Sequence, residues 1–231
     1  MTSLKPLIQQ IVNIFETGKP AGDYAMLATH ADGRGGSRQI TYGRSQTTEQ
    51  GNLVTLIEMY VEAGGRYADD FIPYLSLIGE KPLVDNSHFK QLLVMAAELD
   101  PLMCQTQDQF FDQAYWNPAM AWCAQRGFKH PLSWLVIYDS FIHSGRVAMY
   151  LRKRFRAQPP SAGGQEEAWL SAYVNTRHDW LANHPFALLR NTTYRTETFK
   201  RLINKDNWDL SQRPIQAHGV LLDESLGVEK G

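Results

Sequence analysis

Two carboxylates early in the chain, Glu16 and Asp32, occupy unlike surroundings, and that difference is itself chemistry. Leu4, Leu7, Ile8, Ile11, Val12 and Phe15 recur at the spacing of one helical stripe, which predicts an amphipathic helix over 4–16. Gly18 and Pro20 end it. Glu16 therefore closes an apolar helix beside Phe15, where loss of water raises a carboxyl pKa. Asp32 follows sixteen residues later in Ala31-Asp32-Gly33-Arg34-Gly35-Gly36-Ser37, a turn-rich stretch that cannot be helical and exposes it to water. One carboxyl kept protonated and one kept ionised is what glycoside hydrolysis uses, the first for the leaving oxygen and the second for a water. A helix-end Glu and a turn Asp without any chemistry fit the same spacing.

Other chemistries find less support. The sequence holds no P-loop, HExxH, CxxC or GxSxG pattern. Gly33-Arg34-Gly35 lacks the preceding strand and third glycine of a dinucleotide loop. The seven histidines are scattered, and His178 with His184 has the wrong spacing for one helix face, so neither a metal site nor a cofactor is expected. Lys+Arg 23 against Asp+Glu 24 gives a net charge of −1, which argues against a nucleic-acid binder despite the basic run Leu151-Arg152-Lys153-Arg154-Phe155-Arg156. No apolar run reaches the length of a membrane span. Two cysteines, Cys104 and Cys123, exclude a disulfide scaffold and are expected as buried thiols rather than a bridge.

The elements that must position the two carboxylates are mostly helical. Beyond the first helix, a short helix is expected around 24–29 and a strand at Gln39-Ile40-Thr41-Tyr42, within a β element over 38–45. Helical periodicity then runs over 52–62, 68–78, 87–99, 106–115, 117–126, 131–154, 165–183 and 193–204. Pro101, Gly127, Pro131 and Pro185 lie between helices, and Pro159–Gly164 is the clearest loop. Residues 211–231 read as an extended strap, with 215–231 as a flexible tail. The expected fold is mainly α, with a small β element beside a cleft. The six tryptophans are expected mostly in the core.

Glu16, Tyr24, Asp32-Gly33-Arg34-Gly35-x-Ser37 and Tyr42-Gly43, followed by a helix over 52–60, resemble the active-site segment of chitosanases of glycoside hydrolase family 46. Phe110-Phe111, Tyr115-Trp116-Asn117-Pro118-Ala119, Tyr138-Asp139-Ser140-Phe141 and His143-Ser144-Gly145 extend the series, and Arg177, Arg195 and Asn207-Trp208-Asp209-Leu210 close it. The resemblance spans about residues 10 to 215. It implies a lysozyme-like fold of two helical lobes with a small β-sheet edging the cleft, as one bilobal catalytic domain over 1–231 with its minor lobe near 20–65. By resemblance Glu16 is the general acid, Asp32 the general base of an inverting reaction, and Ser37 helps hold the water. Inversion asks for roughly 6.5–9.5 Å between the carboxyls. Asp139, Arg177 and Arg195 resemble a buried ionic network that positions the acid, and Tyr24, Arg34, Glu49 and Asn52 are the positions expected to meet the sugar.

Three departures bear on substrate. The segment from Glu16 to Tyr24 is short for the family, residue 17 is Thr, and Asn52 stands where chitosanases carry an Asp that pairs with the glucosamine amine. Glu49, three residues earlier, is the carboxylate expected to substitute, the alternative being a site that prefers an N-acetylated sugar. The reading is an endo-acting hydrolase of β-1,4-linked amino-sugar polymers, with a peptidoglycan hydrolase (a lysin or antibacterial effector) and a non-catalytic glycan-binding protein as alternatives. The partner is a polysaccharide, chitosan or peptidoglycan glycan, and the chain is expected to be a monomer. Such a substrate implies release to the extracellular space or periplasm, although Met1 to Phe15 shows no export signal.

Overall fold

The structure is a computed structural model and describes residues 4–44 and 46–223. In chain order the first elements are α1 (Lys5–Thr17), β1 (Leu27–His30), β2 (Gln39–Tyr42), β3 (Thr47–Thr48), α2 (Leu53–Glu62), α3 (Ala68–Leu75), α4 (Ser87–Leu99) and α5 (Pro101–Phe111). There follow α6 (Asn117–Gln125), α7 (Pro131–Ser144), α8 (Met149–Arg152), α9 (Glu166–Ala182), α10 (Ala187–Arg190), α11 (Thr193–Asn204), β4 (Ile215–Ala217) and β5 (Val220–Leu222). The chain divides into two compact units, one of residues 4–20 with 115–223 and one of Ala21–Ala114. The second begins where the minor lobe was expected and continues past 65.

In the first unit α7 is the central element. Leu132, Leu135, Val136, Ile137 and Tyr138 are all fully buried, so this helix is apolar around most of its circumference, as a helix enclosed by others must be. The stripe Ile8, Ile11, Val12 and Phe15 of α1 packs on the same core, as do Trp169 and Tyr173 of α9 and Phe199 and Leu202 of α11. Gly18, at φ +75°, ends α1 and gives its N–H to the Ile14 carbonyl at 3.0 Å, so the helix stops at Thr17, one residue after Glu16.

In the second unit β1, β2 and β3 form an antiparallel sheet in that order, with Leu27 opposite Tyr42 and His30 opposite Gln39. Its helices share one core, in which Tyr60 meets Phe71 edge-on at 5.7 Å and Phe71 meets Phe89 at 6.3 Å. That shared core is why the unit runs on to α5. Asp100 caps α5 through the Leu102 N–H at 3.0 Å, which makes Pro101 the first residue of a helix rather than a break.

Three expectations for the elements are corrected. Residues 27–30 are strand, not the end of a helix over 24–29, because their backbone groups pair with β2. The helix expected over 131–154 stops at Ser144, where Gly145 at φ +71° closes it, and resumes only as the one-turn α8. Residues 215–222 are not a loose tail but the hairpin β4–β5, with Ile215, Ala217 and Leu222 buried; 224–231 lie outside the described residues. No helix among the described residues is long and apolar enough to cross a membrane. Cys104 and Cys123 are both free, the second in the core of the first unit, where burial pushes its thiol pKa up.

Candidate active site

Glu16 stands in the last turn of α1 with its side chain 10% exposed. Its Oε1 accepts from Nη2 of Arg195 at 2.7 Å. Nη1 of Arg195 donates to Oδ1 of Asp139 at 2.7 Å, and Nη1 of Arg177 donates to Oδ2 of the same carboxylate at 2.6 Å. Asp139 comes from α7, Arg177 from α9 and Arg195 from α11, so three helices supply one chain of alternating charges. The Asp139 side chain is fully buried and the two guanidiniums nearly so, a state that charges tolerate only when paired. Ser140 extends the network, accepting from the Tyr173 hydroxyl at 2.9 Å and from Arg177 Nη1 at 3.3 Å while donating to the Val136 carbonyl at 2.7 Å.

The electrostatics separate the two carboxyls of this network. Burial pushes the Glu16 pKa above the ordinary glutamate value, and the attraction of Arg195 only partly offsets it. Burial works in the same sense on Asp139, but there Arg177 and Arg195 together prevail and hold it below the ordinary aspartate value. His143, one turn further along α7, is pushed down to about 3 by burial and by the two guanidiniums, so it carries no charge near neutral pH. The network thus contains one carboxyl that keeps its proton readily and one that does not.

Asp32 lies in the second unit, exposed, on the turn that follows β1. Its Oδ1 accepts from Gln39 Nε2 at 2.9 Å, and Oε1 of the buried Gln39 accepts the Gln50 N–H at 3.0 Å. The Gln50 side chain spans the turn, its Oε1 accepting the Arg34 N–H at 2.7 Å and its Nε2 donating to Ser37 Oγ at 2.9 Å. The Gly33 N–H closes the turn on the Ser37 carbonyl at 2.9 Å. A Cβ on Gly33 would stand 2.6 Å from Ser37 Oγ, which is why glycine occupies that position. Asp32, Arg34 and Ser37 are therefore brought together on one loop, with Arg34 exposed.

Asn52 is exposed at the N-terminus of α2. Tyr24 donates its hydroxyl to Asp108 Oδ1 at 2.9 Å, and burial pushes its phenol up to about 12. Arg44 pairs with the same Asp108 oxygen and lies over the rings of Phe111 and Tyr24. Glu49 is corrected: it is 2% exposed, and its two oxygens accept the Ile40 N–H at 3.0 Å and the Leu83 N–H at 2.6 Å. It frames the loop from within, with both oxygens taken by backbone N–H groups. The sequence did not single out Gln39, Gln50, Arg44 or Asp108, since amides and ion pairs that join separate segments leave no periodic signal. Ser140 did lie inside a quoted run, next to Asp139.

The sequence model described as glycosyl hydrolase family 46 matches residues 10–215. A chitosanase of Bacillus subtilis (strain 168) is 27% identical over 219 residues, covering 88% of this chain and 78% of that protein. Among solved structures, a family 46 chitosanase of Gynuella sunshinyii in complex with chitotetraose aligns with a TM-score of 0.81 at 24% identity, over 96% of this chain and 97% of its own. A mutant chitosanase of Bacillus subtilis MY002 complexed with 6 GlcN aligns with a TM-score of 0.83 at 22% identity, over 96% and 99%. At those identities the structural likeness establishes the fold, which is lysozyme-like.

Proposed function

The chain belongs to glycosyl hydrolase family 46, and we propose that it is an inverting, endo-acting hydrolase that cleaves β-1,4-linked amino-sugar polymers, with chitosan as its substrate. In this reading Glu16 is the general acid. The observation that carries it is the network on Glu16: a carboxyl 10% exposed, its pKa raised by burial, in contact with one guanidinium that a buried carboxylate holds in place. Such a group keeps its proton to higher pH than a free glutamate and can give it to the glycosidic oxygen as the bond to the anomeric carbon breaks. The anion left behind then lies against Arg195, whose fixed charge stabilises it as it forms.

Asp32 is the general base, exposed so that a water can reach it, and it takes the proton of the water that attacks the anomeric carbon from the face opposite the leaving group. Ser37, oriented by Gln50, helps hold that water. Tyr24, Arg34 and Asn52 are proposed to meet the sugar, without Glu49. We read the whole chain as one catalytic domain, working as a monomer outside the cell, where such polymers are found.

The test is release of reducing ends from chitosan and from purified peptidoglycan, side by side, for wild type and Glu16→Gln. Turnover of chitosan that Glu16→Gln abolishes is the expected result. Turnover of peptidoglycan alone would replace the substrate, and no turnover of either would leave a glycan-binding protein. Proton NMR of the first product decides the stereochemistry, with an α-anomer expected.

A further inference from the structure

The carbonyls in the last turn of a helix lack partners within the helix and must find them elsewhere. At the end of α1 the Ile14 carbonyl takes the Gly18 N–H at 3.0 Å, while the Thr17 hydroxyl folds back on the Asn13 carbonyl at 2.9 Å. The Phe15 carbonyl is taken by a side chain from a distant segment, the hydroxyl of Tyr194, at 2.8 Å, with Arg195 Nη2 further away at 3.5 Å. That carbonyl belongs to the peptide group that also contains the Glu16 nitrogen, so whatever grips it sets the plane from which the Glu16 side chain departs.

Tyr194 is itself gripped. The ring of His218 stacks on it at 3.8 Å between centroids and 30° between planes. His218 and Gly219 are the two residues that join β4 to β5, at φ +42° and +84°, the two-residue turn whose twist suits a hairpin. A histidine in left-handed backbone is uncommon, and here it brings an exposed ring over Tyr194. The hairpin packs on both α1 and α11, and the family match ends at 215, where the hairpin begins. We propose that the β4–β5 hairpin braces the general acid, with Tyr194 as a positioning residue that His218 holds against the Phe15 carbonyl.

This rests on Glu16 being the acid. Arg195, Asp139 and Tyr194 are the charged and titratable groups that act on Glu16, and burial is the main reason its pKa is raised. Loosening the brace lets water reach the carboxyl and should lower that pKa. For Tyr194→Phe, which keeps the ring, we expect kcat on chitosan to fall roughly threefold to tenfold with KM nearly unchanged. The alkaline limb of the kcat profile should move to lower pH. His218→Asn, which tolerates left-handed backbone, should shift both in the same direction by less, and His218→Phe should restore them. A Tyr194→Phe enzyme with wild-type kcat and alkaline limb overturns the brace, as does one whose melting temperature and kcat fall while the limb stays in place. If Tyr194→Phe does not fold, His218→Asn decides by the same readouts. Should Glu16→Gln keep its turnover, the acid assignment fails and the brace with it; should only Tyr194→Phe behave as wild type, the brace alone fails.

Discussion

The surroundings of Glu16 and Asp32 are made of opposite materials. Glu16 is held by full charges from three helices, buried in the first unit and joined end to end through Arg195, Asp139 and Arg177. Asp32 is held by neutral amides, with Gln39 and Gln50 tying an exposed turn to the sheet of the second unit. A buried ionic chain loses much when one link goes, since each remaining charge is stranded in a medium that cannot solvate it. A turn held by separate neutral amide bonds, those of the Gln50 side chain exposed, loses less at a time, because water can replace an exposed partner that is missing. The acid side is therefore expected to fail as a whole and the base side by degrees.

The largest effect is expected at the centre of the ionic chain. Asp139→Ala strands two buried guanidiniums and should cost about 3–5 kcal/mol in denaturant unfolding, with turnover lost as well. Because the Asp139 pKa is lowered in the fold, its contribution is present above the unfolded aspartate value and is lost as pH falls through the folded one. A mild, graded loss from Asp139→Ala would erase the contrast between the two sides.

Next come the two carboxyls. Glu16→Gln and Asp32→Asn should each reduce turnover by about 10²–10⁴-fold, but their stabilities should diverge. The Glu16 pKa is raised in the fold, so its favourable contribution is present below the unfolded value and lost as pH rises through the folded one. Melting curves of wild type and Glu16→Gln should therefore separate with rising pH in favour of the amide. Asp32→Asn should stay within about 0.5 kcal/mol of wild type, as exposed substitutions do.

Glu49→Gln exchanges one acceptor oxygen for a donor against a backbone N–H. It should cost about 1–3 kcal/mol of stability while leaving KM for chitosan unchanged. A raised KM without loss of stability would return Glu49 to the substrate. The smallest change is expected from Gln50→Ala, which loosens the turn around Ser37 and should lower kcat by about tenfold or less, with unfolding almost unaffected.

Legibility from sequence varied with how local the causes were. The spacing of Ile8, Ile11, Val12 and Phe15 placed the first helix within a residue at either end, because one stripe and a glycine stop suffice to define it. The helix expected over 24–29 gives way to the strand Leu27–His30 because so few residues carry too little pattern, and their state is decided by pairing with Gln39–Tyr42. Residues 131–154 are apolar enough to continue as one helix, yet Gly145 turns the chain. Glu49 looked available beside Asn52 only because sequence distance says nothing of the direction in which a side chain points; folded, it faces inward to two backbone N–H groups.

By itself the sequence determined a mainly helical chain with an early β element, the pair Glu16 and Asp32 on a helix end and an open turn, and the resemblance that names Asp139, Arg177 and Arg195 as one group. These rest on residue type, periodicity and order, all of which are written along the chain. Only the tertiary structure decided that Asp139 offers one oxygen to each arginine, that Gln39 and Gln50 carry the Asp32 turn, and that residues 215–222 form a hairpin whose His218 lies on Tyr194. Hydrogen bonds and ring stacks between residues from 7 to 56 positions apart follow from how strands, turns and helices pack, and packing is a property of the whole core rather than of any one segment.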